Sequence, residues 1–302
     1  MRLAYLLIIH RNEKQAQRLF RNIYDPENLY VFHIDAKSKL EFHQSMHQFL
    51  SAYDNVHILE SENCRWGGFS MVHVELEAIR YLLKIGESWD FFINLSGQDF
   101  PLKTQNQIKS FLHKNKESNF LTVFNETFIK EWCNPYILFR PRSSSRNFLN
   151  ARSRVERYFV EFPGISQLLY VPFVKRKFIE GETWYAGWQW MILNRAFCEY
   201  IFEDDRVNKY VSFFKNTFIP DEGFFQTMIM NSPFKDTVVN DYQRTVTWQY
   251  RGDVNIFREK DYDFLMNSKN LFARKFDEAV DSQIISALEK HLLDSQLTGS
   301  QI

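Results

Sequence analysis

The sequence has no excess of charge of either sign, since 37 Lys and Arg residues balance 37 Asp and Glu residues among 302. A protein that binds nucleic acid through its overall charge needs a positive surplus, so we expect no nucleic-acid partner. With 45% hydrophobic and 25% charged residues, the composition is typical of a folded globular chain. A chain of this length can bury one large core or two smaller ones.

Cysteines and long apolar runs are both scarce. Cys64, Cys133 and Cys198 are far apart and form no CxxC pair, so we expect neither a disulfide framework nor a structural zinc site. The longest apolar run near the start is Leu3 to Ile9, far below the roughly 20 residues that span a bilayer. We interpret this run as a buried strand, because no small-residue cleavage site follows it.

Glycine and proline are also few, at 10 and 8 residues, and the chain has no Walker loop, GxGxxG, GxSxG or HExxH motif. These absences weigh against phosphate binding by a glycine-rich loop, dinucleotide chemistry and zinc hydrolysis. No internal repeat, low-complexity tract or linker rich in Pro, Gly or Ser interrupts the sequence. We therefore expect a single domain over residues 1–302.

Aromatic residues are abundant, at 17%, and apolar runs alternate with helix-period segments over the first hundred residues. This alternation predicts an α/β fold with a mixed, mostly parallel sheet flanked by helices. We predict strands at 3–9, 30–34, 56–59 and 90–95, and helices at 12–24, 41–53 and 70–84. Further along, the patterns predict a strand at 184–194, a helix at 195–202, a strand-and-loop stretch at 237–257 and a closing helix at 277–293.

Basic residues are concentrated in one segment, where six arginines occur: Arg140, Arg142, Arg146, Arg152, Arg154 and Arg157. One interpretation is a solvated loop and helix face. The other is a basic lip that meets an anionic substrate, or a lipid-linked one at a membrane surface. The sequence leaves both interpretations open.

Two adjacent carboxylates, Asp221 and Glu222, open a predicted helix in the segment 219–227 (IPDEGFFQT). Asp221 can cap that helix, and Glu222 would lie near its positive end with an ionised carboxylate. An ionised glutamate is a competent general base at neutral pH if it faces a hydroxyl group. The spacing is equally compatible with two acids that only cap a helix.

Two other segments bring rings together with cations or polar groups. In 271–277 (LFARKFD), Arg274 and Lys275 could neutralise a diphosphate without a metal, one with a planar fork and the other with a point charge. In 247–251 (TWQYR), Trp248 could stack on a sugar or a base, although core packing is the commoner fate of such rings.

A metal site is weighed because the triplet 261–263 (DYD) matches the DxD pattern of manganese-dependent nucleotide-sugar enzymes. The triplet opens a predicted helical turn, whereas such a site needs to follow a strand at the ligand edge of the sheet. Asp204 and Asp205 are interpreted as a turn at a helix end. We therefore expect no metal ligands in this chain.

Several ordered motifs resemble one family over nearly the whole chain, and they read IIHRNEKQAQRLFRNIYDPENLYVFHIDAKS, RWGGFS, WDFFINLSGQDFPLKT, GWQWMILNR, IPDEGFFQTMIMNSPF and LFARKFD. That family contains the core-2/I-branching N-acetylglucosaminyltransferases and the peptide O-xylosyltransferases, and RWGG and FARKF are closer to the latter. The resemblance implies a GT-A (Rossmann-like) fold with a nucleotide-binding half near 1–110 and an acceptor and catalytic half near 111–302. It also implies a UDP-sugar donor, an inverting reaction and no required metal or other cofactor.

The same resemblance implies roles for individual residues. Glu222 matches the catalytic base, and Arg274 with Lys275 matches the pair that binds the donor diphosphate. The nucleotide-binding edge matches three residues: His10, Asp35 and Lys37. Asp99 matches an acid that we interpret as a structural organiser and not as a catalyst.

Four residues fall in motifs around the implied sugar site: Trp66, Gln189, Trp190 and Trp248. Trp248 matches the acceptor side. Gln189 replaces the aspartate of a GSDW-like motif that reaches the donor sugar in xylosyltransferases. An amide satisfies different hydroxyl or acetamido groups than a carboxylate does, so GlcNAc, xylose and glucose all stay open as donor sugars.

The implied substrates are a UDP-sugar and a glycan or lipid-linked glycan acceptor, in the synthesis of surface polysaccharide or another glycoconjugate. The membrane anchor, stem and extra cysteines of animal members have no counterpart here. We therefore expect a bacterial-type cytoplasmic enzyme, with peripheral contact at the inner membrane face if the arginine-rich segment is a basic lip. The alternative is a non-catalytic module that binds glycans or nucleotide sugars, but retention of Glu222, Arg274 and Lys275 argues against it.

Overall fold

The computed structural model describes residues 1–124, 177–217, 219–249 and 253–299. Two features of the sequence, the arginine-rich segment 140–157 and Cys133, lie outside these residues. Cys64 and Cys198 are buried free thiols. No helix within the described ranges has the length and apolarity needed to cross a membrane.

The main sheet has seven strands in the order β3-β2-β1-β4-β7-β6-β8 within the described residues. Their bounds are β1 Leu3–Ile9, β2 Leu29–Ile34, β3 Val56–Ile58, β4 Phe91–Ser96, β6 Asn119–Leu121, β7 Met191–Asn194 and β8 Val238–Val239. Strand β1 lies parallel to β2 and β4, and β2 lies parallel to β3. Strand β7 runs antiparallel to β4 and β6, and β8 runs parallel to β6. The expected mixed, mostly parallel sheet is confirmed.

A smaller sheet combines strands from distant parts of the sequence. It contains β5 Asp99–Pro101, β9 Arg244–Thr245 and β10 Phe272–Arg274. Strand β10 lies between the other two, antiparallel to β5 and parallel to β9. In this register Arg274 pairs with Asp99. Two residues that are 175 positions apart in the sequence are thereby fixed side by side.

Helices cover both faces of the main sheet, as alternate residues of β1 show. Leu3, Tyr5, Leu7 and Ile9 pack with helices α1 Glu13–Ile23, α2 Leu40–Leu50, α4 Gln105–Lys114 and α9 Gln283–Gly299. The intervening residues of β1 pack with α3 Ser70–Lys84, α5 Arg195–Ile201, α6 Arg206–Phe214 and α7 Phe224–Met230. A further short helix is α8 Tyr262–Met266. Because burial of one large apolar side chain stabilises a fold by about 1.5–3 kcal/mol, this strand anchors both cores.

The strand predicted at 184–194 is wrong over most of its length, because only Met191–Asn194 joins the sheet. Gly187 lies so close to the backbone just after β6 that an added Cβ would be 1.6 Å from the Thr122 carbonyl oxygen. The backbone N–H and C=O of Tyr185 are satisfied by the Thr227 hydroxyl of α7 and not by a strand partner. The result is an irregular segment, 184–190, that crosses the end of the sheet.

The closing helix also begins later than predicted, at Gln283 instead of residue 277. Asp281 accepts hydrogen bonds from the backbone N–H groups of Gln283 and Ile284, at 2.9 and 3.1 Å, and so marks the helix start. Val280, which the pattern placed on the buried stripe, lies before this start and is 41% exposed. The side chain of Asp277 instead accepts hydrogen bonds from Arg11 and Asn12.

Candidate active site

Three neighbouring parallel strands, β2, β1 and β4, end at one edge of the main sheet, where polar groups follow each of them. The backbone N–H of Asp35 donates to the Ile9 carbonyl at 2.9 Å, and the N–H of Gly97 donates to the Ile8 carbonyl at 3.0 Å. His10 follows β1 directly, and its carbonyl accepts a hydrogen bond from the Ser38 hydroxyl. This is the edge at which open α/β sheets bind ligands.

Asp35 and Lys37 form a compact turn at this edge. The Asp35 carboxylate, which is 5% exposed, accepts a hydrogen bond from the Lys37 N–H at 2.9 Å. The Lys37 ammonium lies 3.4 Å from the other carboxylate oxygen and also donates to the Cys64 carbonyl. The structure thus brings His10, Asp35 and Lys37 to one place, as the sequence predicts.

The pKa of His10 depends on the charged residues that lie at this edge. The surrounding protein and the neighbouring Arg11 lower the pKa of His10, although its surface is exposed. Lys37 and Lys275 lower that pKa further, while Asp35 raises it. Lys275 therefore lies within electrostatic reach of His10 at this edge, even though it comes from the far end of the chain.

Arg274 is held in place by an acid, a hydroxyl group and a ring. Its Nη1 atom lies 3.2 Å from an oxygen of Asp99 and 3.2 Å from the Ser96 hydroxyl. Asp99 is fully buried and also accepts hydrogen bonds from the N–H and hydroxyl of Ser96. The guanidinium lies 4.1 Å from the centre of the Trp190 ring, within cation–π distance. Nη1 makes all the side-chain hydrogen bonds of Arg274 to described residues, which leaves Nε and Nη2 for a ligand.

Lys275 follows in a half-buried position. Burial lowers the pKa of its ammonium, and the positive charges of Arg274 and Arg11 lower it further. Like charges held together in this way are stabilised by an incoming anion. The pair therefore has the charge and the geometry to bind a diphosphate.

Glu222 lies in a 3₁₀ turn, Pro220–Glu222, which is separate from the helix α7 that follows. The expectation that Asp221 caps this helix is wrong, because α7 begins after Gly223 without a side-chain cap. A Cβ at Gly223 would lie 2.5 Å from the Trp184 ring, so the chain passes too close to that ring for any larger residue.

The turn that carries Glu222 is attached on two sides. The backbone N–H of Gly187 donates to the Glu222 carbonyl at 2.9 Å, and the N–H of Ile219 donates to the Gly67 carbonyl at 3.0 Å. The first bond links the turn to the irregular segment 184–190, and the second links it to the loop that carries the 76% exposed Trp66. Segment 184–190 thus joins the Glu222 turn to Trp190, on which Arg274 lies.

Aromatic rings border the same segment. Trp188 stacks on Trp248 with ring centres 4.7 Å apart and an interplanar angle of 28°. The backbone carbonyl of Trp188 accepts a hydrogen bond from the Gln226 amide at 2.8 Å. Trp248 remains 45% exposed, so one stacked ring is accessible beside the segment. Such a surface suits a sugar ring.

Glu75, on α3, belongs to this site but was missed in the sequence. It is fully buried, and its Oε1 accepts hydrogen bonds from the side-chain amides of Asn94 at 2.8 Å and Gln189 at 3.4 Å. Burial raises its pKa to about 8, and the carboxyl of Asp221 contributes to the rise. A signal was present, because Glu75 lies three residues after Val72 and so faces the predicted buried stripe.

Replacement of Glu75 by glutamine should make the stability of the protein less dependent on pH. The folded-state pKa of about 8 lies above the ordinary carboxyl value of about 4.3. Between these values the unfolded chain releases a proton that the folded chain keeps, so the free energy of unfolding falls as pH rises. The slope for one proton is at most about 1.4 kcal/mol per pH unit.

Urea unfolding at pH 5 and pH 8 measures this effect. Glu75→Gln should lose less stability than the wild type between the two pH values. Glu77→Gln makes the same change on a more exposed side chain of the same helix and should follow the wild type. Equal losses in all three proteins would contradict the assignment of a neutral, buried carboxyl.

Arg244 is a second buried polar residue that the sequence did not reveal. Its Nη2 atom donates to the Asn94 carbonyl at 2.9 Å, and its guanidinium lies 4.6 Å from the centre of the Phe272 ring. Burial lowers the pKa of Arg244 to about 10, which leaves it charged at neutral pH. It joins the small sheet to strand β4 beside the site.

The triplet 261–263 lies where the sequence placed it, at the start of the short helix α8. Asp204 and Asp205 lie in the 3₁₀ turn Glu203–Asp205 between two helices, as expected. Among the described residues, no group of three or more His, Cys, Asp or Glu side chains is arranged to hold a metal ion.

The model of the Core-2/I-Branching enzyme family matches residues 3–264, so the chain belongs to that family. This confirms the family that the ordered motifs indicate. Rat xylosyltransferase 1 is 31% identical over 99% of this chain and 36% of that protein. For human xylosyltransferase 2 the values are 29%, 99% and 35%. The chain thus spans about a third of the length of the curated relatives it matches.

Similarity to solved structures is more remote. The structure of S. aureus TarS 1-349 in complex with UDP gives a TM-score of 0.30 at 13% identity and covers 41% of this chain and 36% of that chain. The Mn/GDP form of core-mannan synthase A from Aspergillus fumigatus gives a TM-score of 0.33 at 8% identity, with 78% of this chain and 71% of that chain covered.

Proposed function

We propose that this protein is an inverting glycosyltransferase that transfers a sugar from a UDP-sugar to a hydroxyl group of a glycan acceptor. The observation that carries the proposal is that residues 187–190 contact both the candidate diphosphate-binding pair and the turn that carries the candidate base. At one end of this stretch, Trp190 and Asp99 hold Arg274 beside Lys275 and the nucleotide edge. At the other end, Gly187 holds the turn of Glu222. In the proposed complex, the leaving diphosphate and the general base would lie on opposite sides of the anomeric carbon of one sugar.

The proposed reaction is a single displacement. The Glu222 carboxylate takes the proton of the acceptor hydroxyl as that oxygen forms a bond to the anomeric carbon. The bond from the anomeric carbon to the diphosphate oxygen breaks, and its electron pair leaves with UDP. A general base typically contributes about 10²–10⁴-fold to the rate. One preorganised group that stabilises developing charge contributes roughly 3–4 kcal/mol, which is the part we assign to Arg274 and to Lys275.

Transfer should not require a divalent metal, because two cationic side chains take over the neutralisation of the leaving diphosphate. The UDP-release rate of the purified protein should be the same in EDTA and in MnCl₂. Loss of activity in EDTA and its recovery on addition of Mn²⁺ would contradict this part of the proposal.

The donor sugar is tested by measuring UDP release with UDP-GlcNAc, UDP-xylose and UDP-glucose. We expect release with at least one of them and a clear preference within the set. UDP-sugar binding without any release would instead support a non-catalytic module. The exposed rings of Trp66 and Trp248 support a glycan as acceptor. We further propose that the acceptor is a surface polysaccharide or lipid-linked glycan and that the reaction takes place in the cytoplasm, at the inner membrane face.

A further inference from the structure

Glu75 lies directly beneath segment 184–190 and has no role in the reaction described above. Helix α3, which carries it, packs against the 3₁₀ turn that carries Glu222. Its Oε1 atom accepts two amide hydrogen bonds, while its Oε2 atom is buried and has no hydrogen-bond partner among the described residues. A buried carboxyl with one unpartnered oxygen costs free energy of folding.

Asn94, on β4, fixes the backbone above Glu75. Its amide N–H₂ group donates to the Gln189 carbonyl at 3.2 Å, and its carbonyl oxygen accepts from the Met191 N–H at 2.9 Å. The backbone on both sides of Trp190 is thus attached to one side chain. The main chain at Gln189 therefore has a fixed position. The orientation of the Gln189 side-chain amide depends on its hydrogen-bond partner.

The hydrogen-bond partner of the Gln189 amide is Glu75. Turning a glutamine amide by 180° exchanges its N–H₂ group and its oxygen at almost no steric cost, so only a hydrogen-bond partner decides between the two orientations. Oε1 of Glu75 accepts in either protonation state of the carboxyl, and it therefore selects the orientation with Nε2 of Gln189 turned inward. The Oε1 atom of Gln189 then makes no hydrogen bond within the described part of the chain.

Gln189 also lies at the position where a donor sugar would be bound. It is one residue from Trp190, which holds Arg274, and two residues from Gly187, which holds Glu222. If those two groups act on the leaving diphosphate and the acceptor hydroxyl, the sugar lies between them. An acceptor atom at this point favours a sugar that presents a hydroxyl or an acetamido N–H.

We propose that Glu75 is a positioning residue that orients the Gln189 amide and thereby determines which donor sugar the site prefers. The proposal rests on the proposed function, since it assigns part of the specificity of the same reaction. It predicts that Glu75 acts on the choice between donors and not on the binding of UDP.

The test compares kcat/KM for two UDP-sugars, the preferred donor and the next best, in the wild type and in Glu75→Leu. Leucine has a similar size but no acceptor atom, so the side chain at position 75 no longer selects one orientation of Gln189. The ratio of the two kcat/KM values should fall about tenfold, the value of one neutral hydrogen bond. The Kd for UDP, measured by calorimetry, should change by less than about twofold.

A purely structural role would give a different result, because general damage lowers kcat/KM for both donors by the same factor. Glu77→Leu is the matched control and should keep the wild-type ratio. If Glu75→Leu does not fold, Glu75→Asp withdraws the carboxyl by one methylene group and should shift the ratio in the same direction.

An unchanged ratio in a folded Glu75 variant overturns the proposal and leaves the proposed function intact. Absence of UDP release by the wild type with every donor is a separate outcome, since it overturns the proposed function together with the role of Glu75.

Discussion

Replacement of Glu222 by glutamine is expected to abolish sugar transfer and to leave UDP binding nearly intact. The amide cannot take a proton from the acceptor hydroxyl, so the rate of UDP release should fall by about 10²–10⁴-fold. The turn itself should persist, because the hydrogen bonds that attach it are made by backbone atoms of Glu222, Gly187 and Ile219. The rate is measured as UDP release with the preferred donor, and the Kd for UDP by calorimetry.

Asp221→Asn is the matched control for this variant. It makes the same chemical change one residue earlier, on a carboxyl whose Oδ1 atom is buried and has no hydrogen-bond partner among the described residues. Its rate should stay within several-fold of the wild type. Wild-type turnover in Glu222→Gln would exclude Glu222 as the base, and equal losses in both variants would mean that the charge of the turn matters and not the proton transfer.

Replacement of Lys275 by methionine should weaken donor binding and slow the reaction together. The variant removes a half-buried point charge that shares the edge with His10 and Arg274. We expect kcat/KM to fall by about 10²–10³-fold, with a weaker Kd for UDP. Both quantities change because the cation contacts the diphosphate before and during its departure.

Lys275 is a better test than Arg274, because loss of Arg274 would leave Asp99 buried without its ionic partner. Breaking a buried pair in this way costs about 3–5 kcal/mol of stability and would mix folding with function. Lys116→Met, at a side chain that is 72% exposed, is the control for the loss of one positive charge. An unchanged Kd for UDP in Lys275→Met would remove this residue from the diphosphate site.

The sequence predicted the elements whose pattern is local. Strand 3–9 and helix 70–84 have the predicted bounds because a continuous apolar run decides the first and a helical hydrophobic period decides the second. The prediction from sequence failed where tertiary contacts determine the backbone conformation. The apolar run at 184–194 has the composition of a strand, yet the contact of Gly187 with Thr122 and the bonds of Tyr185 to Thr227 keep most of it out of the sheet.

The candidate site also contains residues that a local motif indicates and residues that only tertiary contacts bring into place. Glu222, Arg274 and Lys275 could be predicted as candidates because each lies in a recognisable motif. Glu75 and Arg244 were not found, because a polar residue inside an apolar segment does not reveal its partner. Their partners, Gln189 and Asn94, are 114 and 150 positions away in the sequence, and only the folded chain brings them together.

The most direct test of the account is the configuration of the sugar that is released from an α-linked UDP-sugar when water serves as the acceptor. A proton NMR time course of the purified protein with its preferred donor follows the first product before mutarotation. Single displacement with Glu222 as base predicts that the β anomer appears first, in step with UDP, and that neither appears with Glu222→Gln. Initial release of the α anomer would contradict the account.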